Sequence, residues 1–243
     1  MRYFSVAWEE FRELVGNQST TAQSFQGYGS SFIKKAGYSP DAYVQVAMQL
    51  ATYRLFREQA ATYEATQVRP FLNGRTETTR AVSFESEEFV KAMGLKPKHD
   101  EDNEELRKKK LGLLQKATSA HVKFIGSAAQ AQGVDRHFFG LSMLVEEGED
   151  APTLFSDPVF NRSKRWRVST SHLTHPKIAN WGFGQVVPDG VGIGYSIHPR
   201  SCIFNITALE ETGWADELSQ HIEEALLEMQ RLVELDQTPT SKL

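Results

Sequence analysis

The sequence predicts an α/β chain, and three observations carry that reading. Apolar residues recur at helical spacing in two long segments, residues 42–56 and 214–235. Beyond Pro152 the chain breaks into short β-branched or aromatic runs separated by Gly, Pro and Asp, the pattern of strands. The 243 residues, 40% hydrophobic and 24% charged, have an ordinary globular composition and are enough to bury a substantial core.

Residues 1–26 carry no clear domain-start signal. Ser39-Pro40-Asp41 then offers a capping residue followed by a proline suited to the first helical turn, so a helix starts there and runs to Phe56. Residues 66–83 read as extended. Within them Gly74-Arg75-Thr76-Glu77-Thr78-Thr79-Arg80 alternates hydroxyl and charged residues with the period of a strand. That puts Thr76 and Thr78 on one face as a polar wall, with Glu77 and the flanking arginines pointing away.

Residues 85–93 form a short helix stopped at Gly94, and 96–103 a surface loop dense in Pro, Lys and acids. The acidic stretch 100–105 and the basic run 107–110 read as a solvated helix face with ion pairs. Helical character continues over 115–131 and 136–146. Strands are predicted at 165–171, 184–187, 192–198 and 202–207, followed by the long amphipathic helix 214–235, with Ile222, Leu226, Met229, Leu232 and Val233 along one stripe.

Several function classes are disfavoured. The formal net charge of -4 argues against nucleic acid as the principal partner. The single cysteine, Cys202, cannot form an internal disulfide, suggests no zinc site and is expected as a buried thiol. No apolar run approaches the ~18 residues of a membrane span, and no signal peptide is evident, so a soluble chain without a membrane span is expected. Gly-x-Ser-x-Gly, phosphate-loop and His-Glu-x-x-His motifs are absent, and no metal site is predicted. Gly190, Gly192 and Gly194 are read as turn glycines, not a dinucleotide loop, because no helix opens after them.

Four stretches occur in order: Ser39-Pro40-Asp41-Ala42-Tyr43-Val44-Gln45, Gly133-Val134-Asp135-Arg136-His137-Phe138-Phe139-Gly140-Leu141, Ser169-Thr170-Ser171 and Phe183-Gly184-Gln185-Val186-Val187-Pro188-Asp189-Gly190. With Tyr63-Glu64, they resemble the C-terminal half of the carnitine/choline acyltransferase family. The resemblance implies a mixed β-sheet covered by helices, in the CoA-dependent, chloramphenicol acetyltransferase-like fold. It implies reversible acyl transfer between coenzyme A and carnitine, with acyl-CoA as a co-substrate and no resident cofactor. The family's general base is a His four residues before Asp-Gly. This chain has Gln185 there, so the resemblance places the base in an N-terminal half outside the chain, and the chain alone is expected to be inactive.

Carried over by resemblance, Arg136 reads the carnitine carboxylate, where a planar guanidinium donates two parallel hydrogen bonds. Tyr63 and Thr76 complete that pocket, Ser169 lines it, and Phe183 with Val186 walls the trimethylammonium. Pairing of Arg136 with Asp135 is the competing reading. Ser171 steadies the oxyanion. Lys34 and Lys35 are candidates for the coenzyme phosphates and Asp41 for its adenine amino group, while Ser30 stands where the family commonly has a lysine after Gly29. Thr76-Glu77-Thr78 and Arg136 side with carnitine, since choline-specific members have Val-Asp-Asn and no such arginine. Trp181 lies where a bulky residue closes the acyl tunnel, implying acetyl or another short chain.

Two units are expected, a domain over residues 1–236 with a docking face for the missing half, and a tail at 237–243. The tail ends Ser241-Lys242-Leu243, the tripeptide read by the peroxisomal import receptor, which implies a peroxisomal and otherwise cytoplasmic protein. The alternative is a noncatalytic coenzyme A- or carnitine-binding module, or the partner of a separate catalytic half.

Overall fold

The computed structural model describes residues 2–97, 103–146, 148 and 150–237. The chain opens with α1 (Arg2–Gly16) and β1 (Gln18–Phe25), then α2 (Ser30–Lys35) and α3 (Pro40–Phe56). β2 (Thr62–Gln67) and β3 (Thr76–Arg80) precede α4 (Phe84–Met93), α5 (Glu104–Ala129) and α6 (Asp135–Ser142). The short α7 (Thr153–Ser156) and α8 (Pro158–Ser163) lead to β4 (Val168–His172), β5 (Val191–Ile197), β6 (Cys202–Leu209) and α9 (Trp214–Gln237).

The strands form one six-stranded sheet in the order β1-β6-β5-β4-β2-β3. β4 runs parallel to both its neighbours, while every other pairing is antiparallel, so the sheet is mixed as expected. Alternation sends Val168, Ile193, Phe204 and Ile206 to one face, where they are fully buried beneath α3 and α9. α3 is buried on nearly all sides, and the predicted α9 stripe, Ile222 to Val233, is buried too. α3 and α9 are locked by a bidentate pair in which Arg54 donates to Glu228 at 2.7 and 3.0 Å, with side-chain exposures of 0% and 7%.

Several expectations are corrected. Ser39 holds the N-cap position of α3 without a side-chain bond, and Pro40 occupies the first turn. Residues 66–83 hold the end of β2, a turn and β3, because Asn73 adopts φ 57° and the chain doubles back. No strand forms at 184–187; that segment lies over the sheet and pairs with no neighbour strand. Gly192 and Gly194 are strand residues, not turn residues. A Cβ at Gly192 would sit 2.8 Å from the Gly184 carbonyl oxygen, and one at Gly194 3.0 Å from that of Trp181, so only glycine lets the covering backbone approach. α6 ends at Ser142, short of the predicted 146, and β1 and α1 were not predicted.

The charged run near α5 divides. Lys108 pairs with Glu104 at 2.6 Å, but Lys110 is 2% exposed and belongs to the interior face. Residues 98–102 and the closing Ser241-Lys242-Leu243 lie outside the described residues. Cys202 is a free, buried thiol as expected, and burial pushes it up to about 12. No helix among the described residues is long and apolar enough to cross a membrane.

Candidate functional site

The sheet face opposite α3 and α9 carries the polar residues that the sequence singles out. Tyr63 and Ser169 are direct partners across β2 and β4, and Ser171 stands two residues further along opposite Gly194, so all three share that face. Thr76 and Thr78 share it on β3, as the alternation predicts. The rest of that prediction holds for Glu77, which takes the other face, and fails for Arg80. Glu77 is 3% exposed, because its Oε1 accepts the backbone N–H groups of Thr78 at 2.7 Å and Arg136 at 3.3 Å, and Gly133 packs against its side chain. Arg80 lies on the threonine face, opposite Tyr63.

α6 delivers Arg136 to this wall. Its Nε donates to the Thr76 carbonyl at 3.0 Å and Nη2 approaches the Thr76 hydroxyl at 3.3 Å, leaving the guanidinium exposed. Asp135 is not its partner. That carboxylate takes a two-point bond from Arg80 at 2.7 and 2.9 Å, and Arg80 also donates to the Ser163 carbonyl at 2.8 Å. The Arg80 guanidinium lies 4.9 Å from the centre of the Trp166 ring, which meets Tyr63 edge-on at 5.7 Å. A hollow of about 170 Å³ opens here between Thr78, Arg136, Phe138, Phe160, Lys164 and Trp166.

The remaining predicted residues are spread out. Phe183 stacks on Trp181 with centroids 5.8 Å apart and lines a different hollow, against Leu14, Thr20 and Thr207, while Val186 is 57% exposed. Asn205 holds this covering segment through Asn180 and the Trp181 carbonyl. Asp189 is bound by Arg165 and Arg167 at the rim, so its Asp-Gly step is a structural corner here. Lys34 and Lys35 are exposed at the end of α2. Asp41 opens α3 on the opposite side of the sheet from Ser171 and accepts from the Tyr195 hydroxyl at 2.7 Å.

Sequence reasoning missed the polar groups under the sheet. His172 lies 3.3 Å from Asp41 and stacks on Tyr195 at 5.0 Å. Desolvation works against the Asp41 carboxylate, but the bonds from His172 and Tyr195 outweigh it and hold its carboxyl below the ordinary range. Glu64, from β2, meets His121, from α5, at 2.7 Å, both nearly fully buried. Burial pushes the Glu64 carboxyl up to about 7; on His121 the bond to Glu64 overcomes desolvation and the imidazole also rises. Both shifts mean that the pair keeps a proton at neutral pH. One signal was available: residue 121 falls on the buried stripe of α5 with Leu114, Ala117 and Thr118. Asp41, Glu64 and His121 offer ligand atoms within 4.8 Å of one another, the one such group among the described residues.

Residues 3–224 match the family described as choline/carnitine O-acyltransferase. The carnitine O-acetyltransferase of Columba livia is 36% identical over 222 residues, covering 90% of this chain and 34% of the relative. The mitochondrial carnitine O-acetyltransferase of Saccharomyces cerevisiae is 36% identical over 198 residues, 81% of this chain and 28% of the relative. Choline O-acetyltransferase of Gallus gallus is 34% identical over 238 residues, 96% and 36% respectively. The chain thus spans about a third of the length of these curated relatives. Among solved structures it is similar to a chloramphenicol acetyltransferase, with a TM-score of 0.37 at 10% identity, covering 86% of this chain and 88% of that one.

Proposed function

The chain belongs to the choline/carnitine O-acyltransferase family, and on that premise we propose that it is the C-terminal part of a carnitine O-acyltransferase acting on acetyl or another short acyl group. The observation that carries the choice of carnitine is Arg136 beside Thr76: an exposed guanidinium held at its Nε edge, with donors left for a carboxylate. Choline has no carboxylate to fill that position.

In the reaction so read, the carnitine hydroxyl attacks the thioester carbonyl of acyl-CoA. A C–O bond forms, the C–S bond breaks, and the hydroxyl proton passes by way of a general base to the departing coenzyme thiolate. Ser171 donates to the oxyanion of the tetrahedral intermediate, and Tyr63, Thr76, Arg136 and Ser169 hold carnitine. Trp181 limits the acyl chain, and Lys34, Lys35 and Asp41 meet coenzyme A; Phe183 and Val186, carried over for the trimethylammonium, lie apart from the Arg136 wall in this structure. The base and the rest of the enclosure come from the two thirds of the relatives' length that this chain does not span. A peroxisomal address in Ser241-Lys242-Leu243 completes the proposal.

Calorimetry on the purified chain tests the acceptor. L-carnitine binding measurably tighter than choline supports the reading; choline binding as tightly or tighter moves the chain to the choline branch.

A further inference from the structure

The middle residue of Ser169-Thr170-Ser171 points the opposite way from its neighbours, into a buried chain of hydrogen bonds. The Thr170 hydroxyl donates to the Tyr63 carbonyl at 2.9 Å, so its own proton is committed. The Tyr195 hydroxyl donates to Asp41 at 2.7 Å, and its proton is committed as well. Both oxygens are left as acceptors, and one group serves both: the Gln45 amide nitrogen, 2.9 Å from Thr170 and 3.0 Å from Tyr195. Gln45, Thr170 and Tyr195 are each 1% exposed or less. Only a two-proton donor suits the middle of this chain, which is why an amide sits there.

We propose that Gln45 is a positioning residue that fixes the strand bearing Ser169 and Ser171 against α3, so that one buried amide sets the distance between the coenzyme end at Asp41 and the acceptor wall at Tyr63. The inference deepens the reading above and rests on it for the roles of Asp41, Ser171 and Tyr63; the holding of the strand itself does not. A chain of bonds across the sheet from one substrate's residues to the other's also resists sliding of β4 along β2, which hydrogen bonds within the ladder permit in two-residue steps.

The test is amide hydrogen exchange on the full chain, comparing residues 168–172 with residues 203–208 of β6, together with calorimetry for coenzyme A and L-carnitine. Gln45→Glu keeps the shape but leaves at most one donor for two acceptors. It is expected to speed exchange in 168–172 at least tenfold beyond any change in 203–208, and to weaken L-carnitine binding about tenfold. Thr170→Val is expected to do the same and Thr170→Ser to restore the wild-type pattern, which a purely space-filling role would not produce. If Gln45→Glu fails to fold, Thr170→Val, nearly isosteric, carries the test. Exchange that rises equally in both segments, or in neither, overturns the proposal. If the wild-type chain binds neither ligand, the functional reading fails, and exchange alone still decides whether Gln45 holds the strand.

Discussion

Arg136 is exposed and bonded to Thr76, while the neighbouring Asp135 is taken by Arg80, so the two adjacent charges serve different ends. Arg136→Asn removes charge-assisted bonds of about 1.5–3 kcal/mol, and L-carnitine affinity of the chain should fall some ten- to a hundredfold with choline affinity unchanged; calorimetry showing equal losses would refute the assignment. The buried Glu64–His121 pair gives a pH prediction. An ordinary glutamate loses its proton near 4.5 and an ordinary histidine near 6.5, but both are raised here, with Glu64 about 7. Folding therefore takes up protons across that window. The pair's stabilisation is full in acid and is lost as pH rises through about 7. Urea midpoints followed from pH 5 to 8.5 should show this fall flattened in Glu64→Gln; an identical slope in the variant would remove the pair as its cause.

At the scale of elements, the joint between α3 and α9 depends on Arg54 and Glu228. Glu228→Ala leaves a buried guanidinium without its partner and should cost about 3–5 kcal/mol, read as a lower urea midpoint at unchanged slope; a loss below about 1 kcal/mol would show that water reaches Arg54. The α3 and α9 helices were legible because capping chemistry or an apolar stripe marked them. β1 was not: Gln18–Phe25 is mostly polar and partly exposed, and it becomes a strand through pairing with β6, a partner nearly two hundred residues away. The glycines of β5 were misread for a related reason, since what they accommodate is the backbone of Trp181 and Gly184, which no local pattern reveals. Among site residues, the two-residue alternation placed Thr76 and Thr78 on one face, while Tyr63, Ser169 and Ser171 came from the resemblance and only the sheet register brings them to that face. Gln45 and Tyr195 were not found, because on a buried face they look like core positions, and only the crossing of three elements turns them into a polar chain.

At the scale of the whole molecule, α1 presents a long exposed apolar surface among the described residues: every side chain from Tyr3 to Val15 is exposed, with Trp8 at 59% and Phe11 at 54%. Such a face binds apolar probes. The double change Trp8→Glu and Phe11→Glu should lower hydrophobic-dye fluorescence of the purified chain with no shift in its melting temperature, since α1 contributes little to the core; a large drop in melting temperature would mean that α1 packs in solution. The chain alone should show no acetyl transfer from acetyl-CoA to L-carnitine, and substantial turnover would overturn the assignment of the base to the remaining two thirds of the relatives' length. Cys202 makes such measurements easier. Its thiol is buried in β6 and held protonated at neutral pH, so alkylating reagents pass it by. A cysteine installed at an exposed position, Lys109→Cys for one, would be the single reactive thiol of the chain. The wild-type sequence thus needs no other cysteine removed before a spectroscopic label is attached.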